Sequence, residues 1–200
     1  RWLLTGVSYM IPFVAAGGLL IALGFLFAGY DIDAEGQKIA VENSFTNLPA
    51  AGEHALGGSA LLTYIGALLF ALGAWAFGFL VPALAGYIAY AMADRPGIAP
   101  GFVMGVVANA IGAGFLGGIV GGLLAGAIAG WFAGRVVPRW LAGLMPVVII
   151  PLVTTLIAGL IMLLVVGRPI AWVNEQLVDW LNGLSGSSAI LLGIILGLMM

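Results

Sequence analysis

Charge is scarce in this chain, and cysteine is absent. Only 7% of the 200 residues are Asp, Glu, Lys or Arg, whereas soluble domains carry about 25%. Without cysteine the chain can form no disulfide, no thiolate metal site and no phosphocysteine. The single histidine, His54, excludes a multi-histidine metal site. The net charge of −2 gives no sign of nucleic acid, so we expect no metal, no cofactor and no nucleic-acid partner.

Apolar residues fill the chain instead. Hydrophobic residues make up 63% of it, and about 20 consecutive apolar residues are enough to cross a bilayer. We therefore predict an all-α integral membrane protein, a polytopic helical bundle of about five spans. The predicted spans are residues 3–30, 58–72, 79–93, 114–134 and 141–166. Because the chain begins at Arg1 and stops within an apolar run, we expect a fragment of a longer protein.

The charged residues between the spans predict an orientation. Arg135 and Arg139 are the densest positive charge in the chain, and the positive-inside rule places them in the cytoplasm. Counting spans backwards puts Arg1 inside and the acidic segment 31–54 outside. The same count places Asp94–Arg95 towards the outer side. We interpret segment 31–54 as a solvated loop, although its carboxylates leave a binding role open.

One charged segment, Asp94 to Gly101, lies between long apolar runs. Its two prolines and two glycines predict a break in any helix. Non-helical backbone at membrane depth persists only beside protein or a water-filled cavity, so a re-entrant segment is one interpretation. Asp94 and Arg95 are candidates for a cavity rim that binds substrate, with a salt-bridged pair at the lipid interface as the alternative. Asn109 is a candidate for the same cavity or for a hydrogen bond between helices.

A stripe of small residues gives the clearest periodic signal. Positions four apart share one face of a helix, and glycine recurs at this spacing at Gly114, Gly118, Gly122, Gly126, Gly130 and Gly134. A face without side chains lets a neighbouring backbone approach closely. The neighbour is either a second copy, across a dimer or gating interface, or another helix of the same chain.

Residues 167–184 differ in character from the spans before them. Polar side chains such as Asn174 and Asp179 alternate at helical spacing with apolar ones, and Trp172 and Trp180 suit the headgroup region. We predict an interfacial amphipathic helix on the outer face. The predicted domains are a transmembrane scaffold and dimerisation domain at 1–166, a connector helix at 167–184 and the start of another span at 185–200.

Three segments together resemble the membrane (IIC) component of bacterial fructose-type phosphotransferase systems (PTS). They are Arg95-Pro96-Gly97-Ile98-Ala99-Pro100-Gly101, the glycine run Gly112 to Gly122, and Met145-Pro146-Val147-Val148-Ile149-Ile150-Pro151. The resemblance implies a homodimeric sugar permease of the bacterial inner membrane. It would translocate fructose or a related sugar for phosphorylation by partner IIB and IIA domains. The family's main sugar contacts lie in a carboxy-terminal domain, so they cannot be assigned to residues of this chain.

Two other functions stay open at this stage. A secondary transporter without phosphotransfer would have the same composition. Gly183-Leu184-Ser185-Gly186 matches the serine motif of intramembrane rhomboid proteases, but that chemistry needs a histidine base beside the serine, and His54 lies in the outer segment. The chain has no catalytic residue that we can identify, and we leave open whether it is part of an enzyme.

Overall fold

The computed structural model describes residues 1–135 and 142–187, with side chains described up to Gly183. Its helices are α1 Trp2–Ala28, α2 Ile32–Glu42, α3 Ala60–Gly78, α4 Leu80–Ala93, α5 Arg95–Ala110, α6 Gly114–Ala133, α7 Ile150–Ile161 and α8 Gly167–Ser187. Two π-helical turns, Met145–Ile149 and Met162–Val166, flank α7. No strand occurs in these described ranges, which confirms the prediction of an all-α protein.

Four described stretches are helical, long and apolar enough to cross a membrane: Trp2–Ala28, Ala60–Ala93, Gly114–Ala133 and Met145–Gly183. The chain is therefore a multi-pass membrane protein. The predicted split of the second stretch falls at one residue, Phe79, whose N–H still bonds the carbonyls of Trp75 and Ala76 at 3.3 and 3.2 Å. The predicted count of five spans stays a prediction.

Contacts divide the chain into two compact units: Val7–Leu80, and Arg1–Gly6 with the residues from Val81 onwards. In the first unit α1 and α3 pack at glycines. A Cβ on Gly73 would lie 2.7 Å from the carbonyl oxygen of Gly17, and a Cβ on Gly66 would lie 2.9 Å from that of Gly24. As the contact moves forward along α1 it moves back along α3, so the two helices are antiparallel.

The predicted loop at residues 31–54 contains a helix, α2, which corrects the expectation of a plain solvated loop. Ile32 and Gly36 are buried, and Ile32 packs in a small core with Ala28, Ala67 and Phe70. Ile32, Gly36 and Ile39 lie on one helical face. This pattern was a signal for the helix, but the acidic residues among them favoured the interpretation as a solvated loop. The helix is too short to be stable alone in water, so this buried face holds it against α3.

In the second unit the predicted break at Asp94 to Gly101 is confined to its first residue. Helix α5 begins at Arg95 and continues through Pro96 and Pro100. Proline at the start of a helix costs little, because the first N–H groups have no partner inside the helix. Only the missing hydrogen bond of Pro100 is a defect, and one such defect does not end this helix. Segment 95–101 is therefore helical, not an irregular re-entrant loop.

The backbone stays helical through the predicted junction at residue 167. Gly167 has φ −64° and ψ −45°, and α8 follows the π-helical turn without a break. The two prolines of the predicted span 141–166, Pro146 and Pro151, lie in and just after the first π-helical turn. A wider turn relieves the clash of a proline ring with the preceding turn. The predicted domain boundaries stay a prediction, and most of the predicted last segment, residues 188–200, lies outside the described residues.

Candidate functional site

The central glycines of α6 lie against α4 of the same chain. A Cβ on Gly122 would lie 2.7 Å from the carbonyl oxygen of Ala85, and one on Gly126 would lie 3.0 Å from the Cα of Ala89. Gly118 faces Val81 in the same way. Because the contact advances along both helices together, α4 and α6 run parallel. The middle of the glycine face is thus covered within one chain.

The outer members of the stripe have different surroundings. Gly114 has φ +50°, and a Cβ there would lie 3.4 Å from the side-chain nitrogen of Asn174 in α8. A Cβ on Gly130 would lie 3.6 Å from the carbonyl oxygen of Met92. A Cβ on Gly134 would meet only the last turn of its own helix, with the carbonyl oxygen of Gly130 at 3.7 Å.

A second glycine stripe lies on α5, inside the segment that the sequence pattern marked as a break. A Cβ on Gly97 would lie 2.6 Å from the carbonyl oxygen of Ala89, and one on Gly105 would lie 2.7 Å from that of Val81. Gly101 occupies the middle of the same face. Here the contact moves forward along α5 and back along α4, so these two helices are antiparallel. The four-residue spacing of these glycines was a signal for this contact that the prolines obscured.

These directions place three charged residues at one end of the bundle. The end of α4, the start of α5 and the end of α6 lie together, because α4 and α6 are parallel and α5 is antiparallel to α4. Asp94, Arg95 and Arg135 therefore occupy the same end. The expectation that Asp94–Arg95 lies on the side opposite Arg135 is wrong, because the span count includes no crossing between Asp94 and Gly114, where the structure has the helix α5. Arg139 lies outside the described residues.

Asp94 has an unusual backbone conformation. Its φ of 58° and ψ of −151° lie in a region that essentially only glycine favours, and such strain costs about 1–3 kcal/mol. Its N–H donates to the carbonyl of Tyr90 at 2.7 Å, and its own carbonyl accepts from Gly97 at 3.0 Å. Its carboxylate makes no capping hydrogen bond to α5. The side chain is exposed, so the corner carries an acid where glycine would be relaxed.

The two exposed side chains of Asp94 and Arg95 form no ion pair with each other or with another described residue. Arg135 instead lies over the ring of Trp131, 3.9 Å from its centre, which is a cation–π contact. The charged end thus presents one carboxylate and one guanidinium on exposed residues. Such groups can hold a hydroxyl-rich or anionic molecule.

Asn109 does not belong to this charged end. It lies near the last residue of α5, at the far end from Arg95, about 20 Å away along the helix axis. Its carbonyl accepts from the N–H of Gly112 at 3.1 Å, in the turn between α5 and α6. The structure therefore brings together Asp94 and Arg95 but not Asn109, so the three predicted residues do not line one rim.

Sequence reasoning missed a polar cluster in the other unit. The Nδ1 of His54 lies 3.6 Å from a carboxylate oxygen of Asp31, and its Nε2 lies 3.2 Å from the hydroxyl of Tyr30. Beside it is an open cleft of about 340 Å³ lined by residues including Asp31 and Glu35. No group of three or more His, Cys, Asp or Glu side chains in the described ranges could hold a metal ion. The pairing of residues 23 or more positions apart left no local sequence signal.

Comparisons with known proteins identify the family. The model of the family described as "Phosphotransferase system, EIIC" matches residues 4–200. One relative is the fructose-specific EIIB'BC component of Xanthomonas campestris pv. campestris, to which the chain is 52% identical. That alignment covers the full length of the chain and 31% of the relative. The chain is 39% identical, over 99% of its length, to 52% of a fructose-specific EIIC component of Haloferax volcanii. It is 44% identical, over 98% of its length, to 27% of the 2-O-alpha-mannosyl-D-glycerate-specific EIIABC component of Escherichia coli.

The chain spans about a third of the length of the first of these relatives. No solved structure matches it. The match over nearly all residues, together with the relatives' names, confirms the resemblance based on the three sequence segments. The chain belongs to the phosphotransferase system EIIC family.

Proposed function

We propose that the chain is part of the membrane permease of a phosphoenolpyruvate-dependent sugar phosphotransferase system in the bacterial inner membrane. It translocates fructose or a related sugar, which a partner IIB domain phosphorylates. The observation that carries this proposal is similarity along the whole chain to proteins named fructose-specific EIIB'BC components. The comparisons favour neither a secondary transporter nor an intramembrane protease.

The choice of fructose rests on the relatives' names and not on identity within this segment. The mannosylglycerate-specific relative is 44% identical to the chain, whereas a fructose-specific EIIABC component of Bacillus subtilis is 38% identical. Identity in this region therefore does not order the relatives by sugar. This supports a scaffold role for most of the segment, with selectivity determined mainly elsewhere in the permease.

Within the proposed scaffold, residues 1–166, the α4–α5–α6 core supplies a rigid part. Its helices touch through backbone atoms at two glycine faces, and close-packed interiors resist gradual deformation. A sugar-holding domain can therefore move against it while the core keeps its shape. We also propose a homodimer, and because α4 covers the central glycines of α6, its interface lies on another surface.

The charged end supplies the proposed polar contacts. Asp94 and Arg95 contact the sugar or its phosphorylated product where it leaves the permease. The positive charges of Arg95 and Arg135 favour the cytoplasm for this end, which is also where a phosphotransfer partner would act. Exposure of both side chains supports this role, and the strained backbone at Asp94 is typical of functional positions.

The decisive experiment measures the energy source of uptake. Proteoliposomes carrying the complete permease are supplied with the soluble phosphotransfer proteins and labelled fructose. We expect sugar phosphate to accumulate only when phosphoenolpyruvate is present, with or without an ion gradient. Uptake of unmodified sugar that depends on a proton or sodium gradient and ignores phosphoenolpyruvate would identify a secondary transporter instead.

The orientation has its own test, because the chain has no native cysteine. We expect Arg95→Cys and Gly134→Cys to react with an impermeant maleimide from the same side of the membrane, and Gln37→Cys from the other. The first expectation follows from the parallel course of α4 and α6, the second from the charge distribution. Labelling of Arg95→Cys and Gly134→Cys from opposite sides would contradict the described bundle.

A further inference from the structure

Helix α8 lies against the corner between α5 and α6 and then leaves the core. At its first residue, a Cβ on Gly167 would meet the side chain of Ile111, which belongs to this corner. Two turns further along, Asn174 is still half-buried. Every residue from Glu175 to Gly183 is exposed. Asn174 therefore marks the point at which α8 leaves the core.

A hydrogen bond joins Asn174 to the core at this point. Its Nδ2 donates to the carbonyl oxygen of Gly112 at 3.1 Å. The two glycines of the corner, Gly112 with φ +71° and Gly114 with φ +50°, have left-handed conformations that a side chain disfavours. A Cβ on Gly112 would meet nothing within 4 Å, so glycine serves the shape of the corner there and not close packing. This shape leaves the carbonyl of Gly112 open to α8.

The chain just before α8 is firmly anchored and then weakened. Met162 is fully buried in a cluster with Ala125 of α6. It begins a π-helical turn, in which the N–H of Gly167 donates to the carbonyl of Met162. Pro169 then has no N–H for the carbonyl four residues before it. Helices kink at π turns and at prolines, so the hinge segment, residues 162–169, is where α8 can change direction.

The distance of Asn174 from the hinge segment gives this hydrogen bond a large effect. Asn174 lies about 18 Å beyond Met162 along the helix, and Ser187 lies about 37 Å beyond it. If the hydrogen bond opens enough to admit one bridging water, the amide moves away by roughly 3 Å. Helix α8 then tilts by about 10°, and its last residue moves by about 6 Å. One contact thus determines the direction in which the chain leaves the core.

The strength of the contact suits reversible opening. The hydrogen bond joins two uncharged groups at an exposed position. When it opens, water can pair with both groups, so no buried polar atom is left unsatisfied. A hydrogen bond of this kind shifts an equilibrium by about two- to tenfold. This is enough to favour one position of α8 and too little to fix it there permanently.

We propose that Asn174 is a positioning residue for transport. Its hydrogen bond to Gly112 holds α8 against the corner in one stage of the transport cycle and opens in another, when α8 tilts about the hinge segment. The inference rests on the proposed function, in which a sugar-holding domain moves against the core. The core keeps its shape during this tilt, because its helices meet at backbone atoms. The alternative is a permanent hydrogen bond that only attaches α8.

Electron paramagnetic resonance tests whether the hydrogen bond sets the position of α8. Spin labels are attached to the complete permease through p-acetylphenylalanine at Val106, which is exposed on α5, and at Asp179 on α8. Asn174→Asp removes the N–H donor and keeps the shape of the side chain. Gln176→Glu is the matched control, because it makes the same chemical change at an exposed residue of α8.

We expect Asn174→Asp to broaden the distribution of distances between the labels and to shift its mean by about 4 Å, the movement of residue 179 in a 10° tilt. Gln176→Glu should leave the distribution unchanged. Asn174→Gln keeps a donor and should recover most of the original distribution. Identical distributions for Asn174→Asp and Gln176→Glu would overturn the proposal, because α8 would then be held in place by its other contacts.

A reversible covalent link distinguishes opening from permanent attachment. A Cβ on Gly114 would lie 3.7 Å from the Cγ of Asn174, so cysteines at the two positions can form a disulfide after a small adjustment. In the Gly114→Cys/Asn174→Cys permease we expect sugar uptake when the pair is reduced, and at least about tenfold slower uptake when it is oxidised, because a disulfide is far stronger than the hydrogen bond it replaces. Gly114→Cys alone, given the same oxidant, is the control for other effects of oxidation.

Permanent attachment predicts the opposite result. A disulfide would then replace the lost hydrogen bond, and oxidation would leave uptake unchanged or raise it, which would overturn the proposal. The distance measurement requires no sugar and no phosphoenolpyruvate. It therefore tests the role of Asn174 even if the uptake experiment identifies a secondary transporter, so failure of this inference and failure of the proposed function are distinguishable.

Discussion

Glycine has different packing partners in the two units. On the α1 side of the first unit, Gly17 lies against the ring of Phe77, whereas a Cβ on Gly24 would lie 2.7 Å from the Cβ of Phe70 and 2.9 Å from its backbone. In the second unit, Gly101 and Gly122 instead face the α4 backbone, with the carbonyl oxygen of Ala85 2.8 Å and 2.7 Å from an added Cβ. A ring can rotate, but a helical backbone cannot move without its whole helix.

The spacing of the glycines differs as well. In α1 and α3 the contacting glycines are seven apart, at Gly17 and Gly24 and at Gly66 and Gly73, whereas in α5 and α6 they are four apart. A seven-residue pattern is typical of shallow left-handed crossings, and a four-residue small-residue pattern of steeper right-handed ones. Spacing thus distinguishes two kinds of helix pair that have nearly the same composition.

The largest expected effect is from leucine in the α6 stripe. In Gly122→Leu the Cβ of the new side chain would already be too close to the backbone of Ala85. The helices α4 and α6 must therefore separate. We expect destabilisation of at least about 3 kcal/mol and loss of sugar uptake, although the helix still inserts, because leucine is favourable in lipid. Thermal unfolding and size-exclusion chromatography in detergent measure the first effect.

Gly143→Leu is the control for this substitution, because a Cβ there meets nothing within 4 Å. It should leave unfolding close to that of the unmodified chain. Equal unfolding temperatures for Gly122→Leu and Gly143→Leu would show that close packing of α4 on α6 does not stabilise the protein.

A smaller effect distinguishes ring contacts from backbone contacts within the first unit. Gly73→Ala places a methyl 2.7 Å from the carbonyl oxygen of Gly17, whereas Gly17→Ala mainly meets the half-exposed ring of Phe77. We expect Gly73→Ala to cost about 1–3 kcal/mol and Gly17→Ala less, because the ring can turn outwards. Unfolding of the two variants, compared in one detergent, measures the difference. Equal losses would mean that Phe77 is held as firmly as backbone.

The sequence predicted the architecture better than it predicted the neighbours. Long apolar runs indicated the membrane helices, because a bilayer requires length and hydrophobicity that can be read locally. The spacing of Gly118, Gly122 and Gly126 indicated a close-packed face, but not whether α4 or a second copy would cover it. The spacing of residues describes the surface of one helix. Which helix packs against that surface depends on the tertiary structure.

The errors at the candidate site have a common cause. Pro96 and Pro100 predict a break when each is considered alone, although Pro96 lies at the start of α5, where a proline costs little, and Pro100 alone does not end the helix. A count of spans with no crossing between Asp94 and Gly114 places Asp94 at the wrong end of the bundle. The cluster of Tyr30, Asp31 and His54 escaped notice for another reason, since its parts are joined only when the loop before α3 returns to the end of α1.

The smallest effect on stability, and the sharpest test of the charged end, is Asp94→Gly. Glycine occupies φ 58°, ψ −151° without steric cost, so the substitution should stabilise the fold by about 1 kcal/mol or somewhat more, offset in part by the greater freedom of glycine in the unfolded chain. If Asp94 has only a structural role, the Asp94→Gly protein should be more stable and should take up sugar at an unchanged rate. If the exposed carboxylate contacts the sugar, the Asp94→Gly protein should again unfold at a higher temperature but should take up sugar more slowly. Asp94→Asn keeps the backbone preference and most of the shape while it removes the charge, so it should show the transport loss without the stabilisation. Unchanged uptake by both variants would leave the strain at Asp94 without a transport role and would remove it from the proposed site.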